Sequence, residues 1–278
     1  MPLRSELLGP PHSYYVWARC ALDHPVFADL ADATRCLEVI ERVRSAFDAR
    51  VFAYAIARNG LHLVVHHHPG VPLEEPWLRQ RWAMLGSLRT PPPQRIAARL
   101  TSLSGLMQTL QQRISRAVNG AHGRSGAMWA ARYRACLLAD DAALLAAMAW
   151  LEEDVALHDD IVASSRGRHG QGATSDPHLA PPPLRVGPGD QWFPTDDGPP
   201  GLTPPADAEL QEWVDRSNRS LPASARRAYG EALRQGWALG RPESLIAVLQ
   251  RIGRGAGRGR SRSLRHLDDD LGLCGVWG

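Results

Sequence analysis

The chain is predicted to adopt an α+β fold, an antiparallel sheet with helices packed on one face. Three features of residues 12 to 158 lead there: an aromatic-rich opening strand, a hairpin signal, and amphipathic helices set between strands. HSYYVWARC, from His12 to Cys20, is the first strand. After a turn at Asp23-His24-Pro25, the run Asp32 to Phe47 sets Cys36, Leu37, Ile40, Val43 and Phe47 at helical spacing, with Glu38, Glu41 and Arg42 on the other side. VFAYAI (51–56) and LHLVVH (61–66) read as two strands, joined by a short turn at Arg58-Asn59-Gly60. His67 to Thr101, with Trp77, Trp82 and the prolines at 91–93, reads as an insertion holding one short helix. From Leu103 to Val118 the residues Leu103, Leu106, Met107, Leu110, Ile114, Ala117 and Val118 form one apolar stripe, and Asn119-Gly120 ends the helix. The loop GAHGRSGAMW leads to the strand YRACLL (133–138), and Asp140 or Asp141 starts the helix AALLAAMAWLEED.

Residues 1–158 are therefore expected to form one domain, with the insertion at about 67–101. Between 159 and 205 the composition shifts, and ten of the 22 prolines fall within residues 177 to 205, so this stretch reads as a Pro/Gly-rich linker. Residues 206–252 carry three short helical patterns, at about 206–217, 224–237 and 242–252, expected to form a small helical region. The Gly/Arg-rich end, 253–278, has no evident apolar pattern and is expected to be disordered.

Composition narrows the function. A hydrophobic content of 44% suits a globular protein, and all 32 basic residues are arginine. Cys20, Cys36, Cys136 and Cys274 are scattered with no CxxC pair, the pattern of free thiols in a reducing cytoplasm. The N-terminus lacks an apolar signal core and no window approaches a membrane span, so a cytoplasmic protein is expected. Net charge is only +3, yet residues 76 to 139 hold ten arginines and no aspartate or glutamate. This block spans a helix, a glycine-containing loop and a strand, with Trp129 and Tyr133 interleaved, as a phosphate-binding surface with stacking platforms requires. Arg113, Arg116, Arg124, Arg132 and Arg134 are the expected phosphate contacts. His62 alternates with Leu61 and Leu63, which at a two-residue period turns it away from the apolar side, where it is a candidate metal ligand. His66 shares that side but lies four residues along, ~13 Å away, too far to bind the same ion. His66, His67 and His68 read as a strand end.

The succession AYAIARNGLHLVV, then LTSLSGLMQTLQQRISRAVNG, AHGRSGAMWAARYRACLLADDAALLAAMAWLEED, resembles the single-tyrosine HUH transposases of the REP-associated type over residues 12 to 158. The corresponding family phrases are a strand with His-hydrophobic-His, a helix ending in Asn, a loop like "GRxGxxWxxRYK" and a following "LLxDxAxLLxxMxY". The resemblance implies a ferredoxin-like HUH domain that binds hairpin or single-stranded DNA as a monomer or homodimer. It also implies a divalent cation, Mg or Mn, held by two histidines and a polar group of the helix, with a helix tyrosine attacking the scissile phosphate. Here the first histidine position is Gly60 and the nucleophile position is Ile114; where the family has "NP" after the last helix, this chain has Asp154-Val155. The expectation is a transposase-like, catalytically impaired DNA-binding protein with His62 as the single remaining ligand and no catalytic residue. The alternatives are a metal-dependent nuclease with a rebuilt site, and a non-enzymatic protein-interaction module.

Overall fold

The computed structural model describes residues 12–21, 25–47, 49–67, 74–86, 91–151, 160–164, 223–255, 263–268 and 272–277. The remainder of the expected linker from 165 and the helical pattern at 206–217 lie outside these residues. The elements follow the expected order through the first domain: β1 (His12–Arg19), α1 (Leu30–Phe47), β2 (Ala49–Ala57), β3 (Gly60–His67), α2 (Glu75–Met84), α3 (Pro93–Leu100), α4 (Leu103–Ala121), β4 (Arg134–Leu138) and α5 (Asp141–Trp150). The insertion carries two helices, α2 and α3, where one was expected; each begins with a proline in its first turn, where the missing N–H costs nothing. Ser102 caps α4 and Asp140 caps α5, each side chain accepting from a backbone N–H three residues on.

The rest of the chain corrects two expectations. Ile161–Ser164, placed in the linker, is strand β5, paired antiparallel with β2. After α6 (Ala223–Gln235), β6 (Ala238–Gly240) and α7 (Pro242–Gly255), the expected disordered tail supplies β7 (Ser263–Asp268) and β8 (Leu273–Trp277). All strands join one mixed sheet in the order β5-β2-β3-β1-β4-β6-β8-β7, antiparallel throughout except for the β4–β6 pair. The described C-terminal helices, α6 and α7, therefore pack back on the sheet of the first domain. β6 docks beside β4 through Leu137 N–H to Trp237 O at 2.8 Å and Ala139 N–H to Leu239 O at 2.8 Å, and β8 closes on β6 with Trp237 N–H to Val276 O at 2.7 Å. Leu273, Cys274 and Val276 are buried, so the tail contributes to the core despite its composition.

Helices cover both sheet faces, not one. Along β1, Tyr14, Val16 and Ala18 enter one core with α1, α3 and α4, while Tyr15 and Trp17 turn to a second core formed with α5 and α6. Every residue of β3 is buried, the burial signature of a strand covered on both sides. The alternation in LHLVVH thus separates two interiors rather than an interior from water.

Candidate functional site

On the α5/α6 face, His62 is 4% exposed, so it does not point to solvent as its alternation implied. It lies opposite Trp17 in the β1–β3 register, and the two rings stack at 9° with centroids 6.1 Å apart. The Tyr15 hydroxyl, one diagonal step along the ladder, hydrogen-bonds His62 Nδ1 at 2.6 Å. α6 closes the site from above. Trp17 Nε1–H donates to Arg234 O at 3.2 Å, and the Arg234 guanidinium lies over the Trp150 ring at 5.2 Å. Burial, reinforced by the charge of Arg234, pushes the His62 imidazole down to about 3, so the ring is neutral at physiological pH.

The setting does not fit a divalent cation. One ring nitrogen of His62 is engaged by Tyr15, a guanidinium stands beside the ring, and the neighbouring position toward the site is Gly60. A Cβ on Gly60 would lie 3.7 Å from His62 Nε2 and 3.2 Å from Ala18 O, so positions 60 and 62 do share a face, with no room for a larger side chain without displacement. His66, on the same face, hydrogen-bonds Ser13 Oγ at 3.0 Å through Nδ1, and His67 turns to the opposite side, 3.3 Å from Leu100 O. Among the described residues no group of three His, Cys, Asp or Glu could hold a metal ion.

Ile114 is fully buried in the core between α4 and the sheet, on the face opposite His62. A nucleophile at that position would not share a site with the histidine strand. All five tyrosines, Tyr14, Tyr15, Tyr54, Tyr133 and Tyr229, are buried. Burial raises the Tyr14 phenol well above its ordinary value and Tyr54 to about 12, so neither supplies a phenolate. The four cysteines are free and buried, with Cys20 pushed up to about 12 by desolvation, which makes them inert as nucleophiles.

The arginine block divides between the two faces. Arg134 pairs with Trp17 across β1 and β4, its guanidinium 6.0 Å from that ring, on the His62 side. Arg113 and Arg116 lie on α4, on the other side of the sheet. Arg113 donates through Nη2 to Leu85 O, the residue that caps α2. Desolvation and then the charges of Arg42, Arg116 and Arg99 hold the Arg113 guanidinium below its ordinary value. These four arginines come from α1, α3 and α4, and among the described residues none has a carboxylate partner; Arg99 donates to Thr109 Oγ1 at 3.0 Å through Nη2. Arg42 was not singled out in the sequence because it precedes the acid-free block, and only α1–α4 packing brings it to Arg113.

The loop residues are placed differently from one another. Arg132 is exposed, while Arg124 is half-buried and its Nη1 is buried with no hydrogen-bond partner among the described residues. Trp129 packs on the first core, bridges to Cys20, and donates Nε1–H to Gln111 O at 2.9 Å. Tyr133 is buried and hydrogen-bonded to Ser104 Oγ at 3.1 Å. Both aromatics fasten the loop to α4. Among the described residues the exposed aromatic is instead Trp77 on α2, 49% exposed, with the Arg81 guanidinium 4.2 Å from its ring centroid. Asp32, fully buried, anchors α1 to the end of α4 by accepting from Ala28 N–H at 3.0 Å and binding His122 Nε2 at 2.8 Å.

No helix among the described residues is long and apolar enough to cross a membrane. Compared with known protein families, curated proteins and solved structures, the chain matches none.

Proposed function

We propose that this chain binds DNA, in single-stranded or hairpin form, through phosphate contacts made by its arginines, and that it does not cleave DNA at the His62 strand. The observation that carries the reading is the group Arg42, Arg99, Arg113 and Arg116, four guanidiniums from three helices with no carboxylate partner among the described residues. A cluster of like charges without counter-charge has an unfavourable self-energy that bound phosphates relieve, and the released counterions add to the driving force. The lack of cleavage is supported by the neutral, enclosed His62 and by the burial of every tyrosine. Descent from a transposase-like enzyme is compatible with this reading and is not required by it.

Fluorescence anisotropy of labelled hairpin and single-stranded oligonucleotides over a salt series tests the binding. Affinity is expected to fall with salt, with a log–log slope of about −0.7 for each phosphate contacted on a single strand. Absence of binding at low salt, or binding indifferent to salt, defeats the proposal. A covalent protein–DNA adduct recovered after denaturation would defeat its non-catalytic half.

A further inference from the structure

We propose that the outward face of α2 and the adjoining arginines Arg42, Arg99, Arg113 and Arg116 form a binding track for single-stranded nucleic acid, with an unpaired base stacked on Trp77. This rests on the nucleic-acid-binding reading above and assigns it a place and a preference for unpaired strands.

The argument begins with α2. Leu78 and Trp82 turn inward and fix the helix on the first core. Trp77 and Met84, seven residues apart on the outward side, are 49% and 47% exposed. The indole and the thioether forgo the stabilisation that burial would give them, and both stay available to a ligand on that side. Arg81 lies over one face of the Trp77 ring at 4.2 Å, which orients the indole and places a positive charge beside it. An indole flanked by a guanidinium is the combination that sequence-tolerant stacking of bases uses.

The second observation is where α2 ends. Its cap residue Leu85 accepts from Arg113, so the arginine group abuts the C-terminal end of the same helix that carries Trp77 at its start. From Trp77 to Leu85 the helix rises ~12 Å, a length of three to four stacked nucleotides at ~3.4 Å each. Of the carboxylates near this track, Glu75 pairs with Arg79 at 2.5 Å and Glu41 pairs with Arg44 at 2.6 Å, while Glu74, the cap residue at the start of α2, makes no ion pair among the described residues and is outnumbered by the arginines. Glu38, one turn before Arg42, makes no ion pair with it among the described residues. Charge therefore favours a polyanion, and the exposed indole favours one whose bases are unpaired. A duplex offers its phosphates but hides its base faces.

The test uses the full chain, an oligothymidylate and a duplex of equal length, compared by anisotropy at one low salt concentration, with melting curves to establish that each variant folds. Trp77→Ala is expected to weaken single-strand binding roughly 5- to 150-fold, the range set by the loss of one stacked base, while duplex binding changes little. Trp77→Phe should restore most of the affinity. The pair Arg42→Ala with Arg116→Ala should reduce the single-strand salt slope by about 1.4, two phosphates' worth. If the parent protein binds the single strand and Trp77→Ala leaves affinity unchanged, or lowers duplex and single-strand binding alike, this track is wrong while the broader reading stands. If Trp77→Ala changes only the oligomeric state, the face is a contact between copies and the track is likewise wrong. If the parent protein binds neither oligonucleotide, both proposals fall together.

Discussion

Acidification is expected to destabilise this protein through His62. The folded-state value of about 3 lies below the unfolded value of 6.5, so the unfolded chain takes up the proton first as pH falls. The stability owed to keeping the ring neutral is fully present above pH 6.5 and is lost progressively as pH falls toward 3. The separation of the two values bounds the effect at about 5 kcal/mol, and integration from pH 7 to pH 5 gives a loss of about 2 kcal/mol from this one group. The informative quantity is the difference between the parent protein and His62→Gln, which retains a polar partner for the Tyr15 hydroxyl but does not titrate in this range. Urea unfolding followed by circular dichroism at pH 7, 6 and 5 measures it. The variant is expected to start less stable at pH 7 and to lose about 2 kcal/mol less than the parent on going to pH 5. Parallel pH dependence in the two proteins would refute the reasoning and show that the imidazole is solvated or charged in the fold.

Three further outcomes follow from the same structure. Ile114→Ala should cost about 2–5 kcal/mol in urea unfolding because it opens a cavity beneath α4, and Gly60→His combined with Ile114→Tyr should yield no metal-dependent nicking of a labelled hairpin, since the two positions lie on opposite sheet faces. Ending the chain after residue 262 should remove the buried Leu273 and Val276 and lower stability by roughly 3–6 kcal/mol; an unchanged melting temperature would contradict the docking of β7 and β8. Asp32→Ala strands the Ala28 N–H and His122, and is expected to cost about 1–3 kcal/mol by urea unfolding, a variant as stable as the parent being the contrary result.

The sequence by itself determined the elements whose apolar residues recur locally. α1 and α4 stand where their stripes place them, Ser102 and Asp140 cap where short polar side chains precede helices, and β2 and β3 meet at Arg58-Asn59 as the hairpin signal implied. It also determined that the arginine block is free of acids. What it could not determine depends on pairing between distant segments. β6 has three residues and β7 carries Arg265, His266 and Asp268, so neither has a local pattern; β6 becomes a strand because β4 offers unpaired backbone groups to residues a hundred positions away, and β7 because β8, itself held by β6, offers its other edge. The alternation at His62 has two solutions, water or a second core, and the packing of α5 on Tyr15 together with the return of α6 over Trp17 and Trp150 selects the second. Likewise Trp77 and Trp129 are the same residue type in the same basic block, and the sequence pointed to Trp129. Tertiary packing decides which of the two is exposed, because the loop uses an indole N–H to fasten it to Gln111 O, whereas α2 already has Leu78 and Trp82 to bury and leaves Trp77 in solvent.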